Sequence, residues 1–576
     1  MMIMKIKSIV IAIALVAFSV TSCDKYLDEK LVSDVAPTSY YSNAAGIEDA
    51  VEATYSFMKY IWTNERSFSM TTFGTDTHTN GADGGYKAFN YYDGTLASNV
   101  DILQQIWDNL YRGINQANAV IERAPLVTDM PAATITIRQA EARFLRALYY
   151  FYLVRTWGAV PLHLEEVTEA LVKDSPSTEV AIYDAIVADL EFAIANLPAT
   201  APAQYGRAWK APAEFLLGQA LATRSYRSYA KTDDVSRAEG LFTSVITNYG
   251  FALEPGLDKL FNQDNQKNKE VVFAIQYSTD AILNGPEGNR GHLYFLFEYD
   301  TQPGMIRDIA NGRPFKRFRP TKYLLDLYAA NRPNDLRYEQ TYKHIWISNN
   351  AGTIPAWTAA DVTAGAKNAN GTAAVAGQKK YAVGDTCMYI PGPGNEAKWT
   401  AAQKAKTRYR IWTTSDFNEK IFPTLNKHID PKRPTIQWEP GSRDMFLMRL
   451  ADAYLLRAEM RLKQGNIPGT TADVNVLRTR SARPGRVAEN QVTDAQMTLD
   501  FLLDERAMEF DGEQFRWFDL TRTNKLVQRA KLNPQVTGIK DHHVRRPIPQ
   551  SQIDRSQGGY PQNCGYPNGP ATCAGG

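Results

Sequence analysis

The stretch "AEARFLRALYYFYLVRTWGAVPL", residues 140–162, carries the clearest structural signal in the chain. Ala140, Phe144, Ala147, Leu148 and Phe151 recur at helical spacing and mark one apolar face, with Arg138, Glu141 and Arg146 projecting elsewhere. Gly158 and Pro161 supply the stop expected at a helix C-terminus. Upstream, "NVDILQQIWDNLYRGINQANAVIERA" repeats the pattern, with Ile106, Leu110 and Ile114 in register. Downstream, "STEVAIYDAIVADLEFAIANLP" opens on a Ser/Thr cap and closes before Pro198.

A pair of helices follows. "APAEFLLGQALATRSYRSYA" leads through Asp233 and Asp234 into "VSRAEGLFTSVITNYG", whose buried stripe is Ala238, Leu241, Val245 and Tyr249. "FLMRLADAYLLRAEMRLKQGN" and "TTADVNVLRTRSA" repeat this late in the chain, with Leu447, Ala451, Tyr454, Ala458 and Leu462 on one face and Gly465 as the stop. One such pair cannot bury its face alone, so stacked pairs share a core. Between the helical blocks the composition changes. "EVVFAIQYS" has strand character, "NGPEGNRGHLYFLFEYD" and "NGRPFKRFRPTKYLLDLY" are rich in Gly, Pro and aromatics, and residues 349–397 are rich in Ala, Gly, Thr and Asn. The expected fold is mainly α: a tetratricopeptide-like helical-hairpin scaffold with an irregular, loop-rich second subdomain containing a few short strands.

The ends bound the location. Lys5 and Lys7 precede "SIVIAIALVAFSV", the pattern of a secretory leader, too short for the roughly 20 apolar residues of a spanning helix. "VTSC" then puts small residues before Cys23, and "DKYLDEK" follows with Asp24, Asp28 and Glu29. Cys23 is therefore expected to be a lipid anchor, two or more acyl chains being needed for stable attachment. The formal net charge of +2 falls to zero once residues 1–22, with their two lysines, are removed. Balanced charge gives no footprint for nucleic acid. Export permits disulfides. Cys564 and Cys573 in "NCGYPNGPATC" are the expected pair and Cys387 the free thiol, although spacing does not fix connectivity.

The division expected is a leader over 1–22, a tether over 23–40 and a helical scaffold over 41–250. An irregular subdomain over 251–440, with its insertion near 349–397, a second helical part over 441–566 and a tail over 567–576 complete the chain.

Several segments, in order, are similar to the SusD/RagB family of outer-membrane nutrient-binding lipoproteins of the Bacteroidetes. They are "CDKYLDEK" with "IEDAVEATYSFM", "IWDNLYRGINQANAVIE", "AEARFLRALYYFYLVRTWGAVPL", "RPTKYLLDLYAANRPNDLRY", "RDMFLMRLADAYLLRAEMRLKQGN", "LDERAMEFDGEQFRWFDLTRTNKL" and "RRPIPQSQID". The tail beyond Tyr566 and the insertion near 360 depart from it. The resemblance implies a lipid-anchored protein on the extracellular face of the outer membrane. Such a protein binds oligosaccharides, or peptides in RagB-like members, and delivers them to a SusC-like TonB-dependent transporter without catalysing a reaction. A tetratricopeptide-type scaffold that only binds proteins is the alternative.

Sugar binding needs flat apolar rings for pyranose C–H faces and a few polar groups for hydroxyls. The loop "FGTDTHTNGADGGYKAFNYYDG", residues 73–94, offers Tyr86, Phe89, Tyr91 and Tyr92 with Asp76 and Asn90 as polar partners. Trp346 and Trp357, with Trp399, form a second group, whereas Trp107, Trp157 and Trp517 lie on apolar helical faces and belong to the core. The densest carboxylates, Asp504, Glu505, Glu509 and Glu513, alternate with Arg506, Arg516 and Arg522, which points to ion pairs and not to a glycosidase acid. The seven histidines lack ligand spacing beyond the adjacent His542 and His543, so no metal and no cofactor are expected. Phosphate-loop, calcium-loop and serine-elbow patterns are missing as well.

Overall fold

The computed structural model describes residues 41–169, 173–284, 288–570 and 573; Cys23, the leader and the tether lie outside them. Helix α1 (Ala44–Trp62) is capped by Asn43, whose side chain accepts from the Gly46 N–H. A short α2 (Glu65–Thr72) is capped by Asn64 in the same manner. Then follow α3 (Asp101–Arg123), α4 (Ala132–Trp157), α5 (Glu179–Asn196), α6 (Lys210–Arg224) and α7 (Asp234–Asn248). From α3 to α7 each of these helices packs on the one before it, and α3 also packs on α1.

Helix α4 runs unbroken because no Gly or Pro interrupts residues 132–157. It stops at Gly158, whose φ of 81° favours glycine and whose hydrogen leaves room where a Cβ would come within 2.7 Å of Arg545 Nε. From Ala140 onward α4 is buried around most of its girth, including Glu141 and Arg146, which lie off its apolar face. A helix with neighbours on several sides must satisfy its polar side chains internally. Arg146 accordingly grips Asp189 of α5 through two hydrogen bonds of 2.7 Å, and Glu141 accepts from Tyr55 and Arg138. Trp107 and Trp157 meet edge to face at 5.2 Å, and Trp157, like Trp517, is buried.

The stack is interrupted in sequence but not in space. After α7 the chain leaves for about two hundred residues. It returns as α9 (Leu450–Lys463), which packs on α7, and α10 (Ile467–Ser481), which packs on α9; α8 (Lys322–Asn331) lies within the excursion. The excursion is clasped at its base by the antiparallel pairing of β2 (Val271–Ile275) with β7 (Met445–Arg449). Within it are β3 (Phe318–Pro320), paired with β1 (His78–Asn80), and a three-stranded sheet of β4 (Ile345–Ile347), β5 (Thr386–Tyr389) and β6 (Arg410–Ile411). Helices α11 (Leu499–Glu509) and α12 (Arg516–Arg522) complete the described core.

Ion pairs weld excursion to stack. Arg449 binds Glu270, Glu509 and Glu513. Arg337 binds Asp335 and Glu505, Arg478 binds Glu505, and Lys427 binds Glu513. All are buried. Burial raises the Glu509 carboxyl, but Arg480, Arg449 and Arg337 outweigh it and hold the group well below the carboxylate range. The partners come mainly from other elements and not from the next turn of one helix.

A second device holds the loop 431–441. Asp430 accepts from the N–H of Lys432 at 2.9 Å and of Ser442 at 2.6 Å, pinning both ends. His292 Nε2 lies 2.7 Å from the Glu439 carbonyl, and Arg433 donates to the Trp438 carbonyl at 3.2 Å. His428, stacked on Phe295 at 5.2 Å, donates to the Gly512 carbonyl. Cys564 and Cys573 are joined, with Cα atoms 5.3 Å apart. Cys387 is buried with a free thiol that burial pushes up to about 11. Among the described residues no helix is long and apolar enough to cross a membrane.

Two outcomes test this architecture. Arg449→Met leaves three carboxylates buried without their shared cation and lowers unfolding free energy by about 3–5 kcal/mol in urea titrations. Burial pushes His428 down to about 4 from its ordinary 6.5, so the unfolded chain takes up a proton that the folded one refuses. The contribution is complete above pH 6.5 and is lost as pH falls through 4, about 3 kcal/mol in all. His428→Gln keeps the donor to Gly512 and flattens that part of the stability–pH curve.

Candidate functional site

The loop 73–94 is a knot whose aromatics mostly face inward. Phe89 and Asn90 are fully buried and Tyr92 nearly so, and therefore cannot stack on or bond to a ligand arriving from solvent. Asn90 instead ties the loop, donating to Asn80 Oδ1 and accepting from Gly74 N–H and Asn533. Phe89 and Tyr92 flank the Arg546 guanidinium, at 4.9 and 5.5 Å. Asp76 is also fully buried, as the acceptor for Arg516 and Arg529. A bidentate guanidinium clamp uses the oxygens that a sugar hydroxyl would have needed.

The tryptophans are corrected likewise. Trp346 points from β4 into a small core, stacked on Tyr299 at 4.8 Å and edge-on to Phe297 at 5.1 Å. Trp357 is 2% exposed because it is the core of the insertion: it packs on Ala366 and Ala374, and its indole N–H donates to Asn368 at 3.0 Å. A segment of small residues has few other large apolar side chains to fold around. Of the expected set, Tyr86 and Tyr91 remain half-exposed, as does Trp399.

Of these, Tyr86 borders a crest built from four places in the sequence. The pairing of β1 with β3 continues past Asn80, with the Gly81 N–H donating to the Arg317 carbonyl at 2.8 Å and Asp83 to Lys316. This lays the loop tip along residues 313–317. The other edge of that segment is bonded to the chain after Arg290, Phe315 and Arg317 donating to the Leu293 and Tyr294 carbonyls at 2.9 Å. Gly84 has φ of 100°, and a Cβ there would sit 2.4 Å from Arg317 Cδ, so the tip closes over that side chain only as glycine. Two residues on, Tyr86 holds a left-handed φ of 59° without that freedom, a strained conformation of the kind found at ligand sites.

Side chains then meet around Phe315. The guanidiniums of Arg313 and Arg317 each lie 5.0 Å from its ring centroid. Arg317 bonds Glu65 at 3.0 Å, and Arg313 and Arg290 approach Glu439 at 2.8 and 3.6 Å. Burial raises the Glu65 carboxyl, with Arg317, Arg66 and Arg290 partly offsetting it. Tyr86 feels Asp101, Arg66 and Glu65, and its phenol reaches Asp101 at 3.5 Å. Beside Glu439 stands Trp438, 37% exposed on the pinned loop.

Trp438, Arg313 and Phe315 were not singled out as site residues by sequence reasoning. A signal existed: "RPTIQWEPGS" sets a tryptophan among Pro, Gln and Gly with no apolar period, and "NGRPFKRF" interleaves cations and rings. The two segments meet through Arg313 and Glu439, 126 residues apart in the chain, a contact that no local pattern shows.

Comparison with known proteins identifies the family and the fold. Residues 269–566 match the description "SusD family", and residues 25–215 match "Starch-binding associating with outer membrane". SusD-like protein P25 of Formosa agariphila is 23% identical over 96% of this chain and 97% of its own length. The starch-binding protein SusD of Bacteroides thetaiotaomicron is 27% identical over 79% of this chain and 76% of its own. A solved laminarin binding SusD-like protein superposes with a TM-score of 0.64 at 24% identity, covering 91% of this chain and all of that one. Family match, helical stack and clasped excursion agree, and the chain belongs to the SusD family.

Proposed function

We propose that this protein is a cell-surface lipoprotein that binds oligosaccharides at the crest and passes them to a SusC-like TonB-dependent transporter. The observation that carries the reading is the exposed Trp438, next to Glu439 on one side of the guanidiniums fixed around Phe315, with half-exposed Tyr86 near Glu65 on the other. Rings give the apolar faces that pyranoses need, and Arg and Glu side chains address hydroxyls. The names of the relatives support carbohydrate as the ligand class: one is a starch-binding protein and one structural neighbour binds laminarin. The leader pattern of residues 1–22 with Cys23 supports membrane tethering, and the acidic segment "DKYLDEK" behind it supports a location on the cell surface.

Binding without turnover is the expected behaviour. Glu65 and Glu439 already face guanidiniums, and the dense cluster of α11 is locked in ion pairs, so neither offers a free acid and base pair.

Affinity electrophoresis or calorimetry against a panel of glycans tests the site. Trp438→Ala is expected to weaken binding of the preferred glycan about fivefold or more and Tyr86→Ala by a smaller factor, stacked rings being worth about 1 kcal/mol or more. Melting temperature should stay unchanged for Trp438→Ala, whereas Tyr86→Ala is expected to lower it slightly because that ring packs on the edge of the main core. Undiminished affinity in both variants would place the ligand elsewhere. Cys23→Ser is expected to move the protein from the membrane fraction to the soluble one; retention in membranes would remove the anchor from this account.

A further inference from the structure

We propose that a groove on the flank of the helical stack, astride the loop 201–207, is a second glycan-binding site, separate from the crest. The proposal rests on the glycan-binding reading above and adds a place for a further segment of the same polymer.

Two open clefts share that loop. One, of about 590 Å³, lies between the second half of α1 and the chain at the end of β2. The other, of about 230 Å³, lies between the start of α6 and the chain after α7. The larger falls in the range of about 300–1,000 Å³ in which small ligands are held. Tyr205, Gly206 and Arg207 line both clefts, residues of β2 form both floors, and among the described residues none of the crest lines either.

The lining suits a sugar chain. Tyr55, Tyr205, Tyr249 and Phe251 are half-exposed in it, and Trp209 backs the last two at 5.2 and 5.7 Å. Met58, Val272 and Ile275 are buried beneath, so among the described residues Leu283, on the rim, is the large aliphatic side chain in reach. Apolar peptide side chains find little to fill there, whereas pyranose faces find rings. Glu52, Gln204 and Lys267 stand exposed beside those rings as partners for hydroxyls. The Lys267 ammonium lies 5.2 Å from the Tyr205 ring centroid; on its flexible stem it gives way to a stacking sugar and keeps a donor beside it. Charges of both signs are present, Glu52 with Lys267 and Lys269, while Arg207 bonds Glu48 and Glu141 and Lys59 acts on Asp444. Rings and hydroxyl-bonding groups therefore define the ligand.

The groove is also pre-set. The Gln276 amide donates to the Tyr205 carbonyl, the Tyr205 phenol to the Gln266 carbonyl at 3.2 Å, and the Ala208 N–H to the Tyr55 phenol at 2.7 Å. Gly206 has φ of 91°, and a Cβ there would come within 2.8 Å of Gln276 Cδ, so the loop closes on that amide only as glycine. Little freedom is left to lose on binding. Thr63 joins groove to crest: its hydroxyl bonds the Tyr277 phenol in the larger cleft, and its carbonyl accepts from the Arg290 N–H at 3.0 Å. One glycan chain engaging both sites gains affinity from the tethering of its second segment.

The test uses the whole protein with laminarin, amylose, xylan and mannan as probes. Affinity electrophoresis finds the polymer retained, and hydrogen exchange read by mass spectrometry maps its footprint. The expected result is slowed exchange both at 201–209 and at 431–441. Tyr205→Ala is expected to weaken binding about fivefold, and its combination with Trp438→Ala to weaken it more than either change alone. The wild-type footprint needs no variant and stands if Tyr205→Ala misfolds. Slowed exchange at 431–441 alone, with affinity unchanged in Tyr205→Ala, would overturn the second site and leave the crest. Slowed exchange at 201–209 alone, with affinity unchanged in Trp438→Ala, would overturn the crest and uphold the groove. No polymer retained, or no slowing in either region, would overturn both.

Discussion

The buried lattice of arginines and carboxylates at the base of the excursion is the constraint on which the crest depends. Arg337, Lys427, Arg449, Arg478 and Arg480 meet Asp335, Glu270, Glu505, Glu509 and Glu513, so five cations balance five anions away from solvent. Such a lattice is not a cheap source of stability, because desolvating each ion costs several kcal/mol and apolar residues of equal volume often do as well. Its physical effect is direction. An apolar contact tolerates sliding, whereas a guanidinium with two or three carboxylate partners has one register.

That register matters because the parts of the crest are far apart in the chain. Glu65 and Tyr86 come from the first hundred residues, Arg313 and Phe315 from the excursion, and Trp438 from its return. Asp76 anchors the base of the first group to Arg516 and Arg529, beyond the excursion. Asp430, His292 and Arg433 fix the last group through bonds at the ends and along the loop. An irregular surface is thus held by regular foundations, the usual way to keep a loop-built site in one shape.

The helical stack was legible because periodicity is local: Ala140 to Phe151 and Ile106 to Ile114 fall in the core at the faces expected, while in α7 Ala238 and Val245 are buried but Phe242 fills the core where Leu241 and Tyr249 stay half-buried. The joining of α7 to α9 across the excursion follows from the same logic, since two half-stacks with open apolar faces must close on each other. Which polar residues are buried was not legible. Arg146 and Asp76 look like surface residues in the sequence, and only the partners brought by Asp189 and Arg516 make their burial tolerable.

The site was harder still, and the reason is physical. An aromatic residue in a Gly- and Asn-rich loop has two uses, as a platform for ligand or as the loop's own core, and composition is the same for both. Loops as long as 73–94 or 355–380 cannot stay ordered without some buried apolar area, so several of their rings must turn inward. Phe89, Tyr92 and Trp357 serve that end. Where a loop is instead held by polar anchors at its ends, as Asp430 holds residues 431–441, its ring is released from that duty. Trp438 is therefore free to face solvent on a rigid loop that has no aromatic core of its own, and the same division between rings that order a loop and rings that a loop presents separates Phe89 from Tyr86.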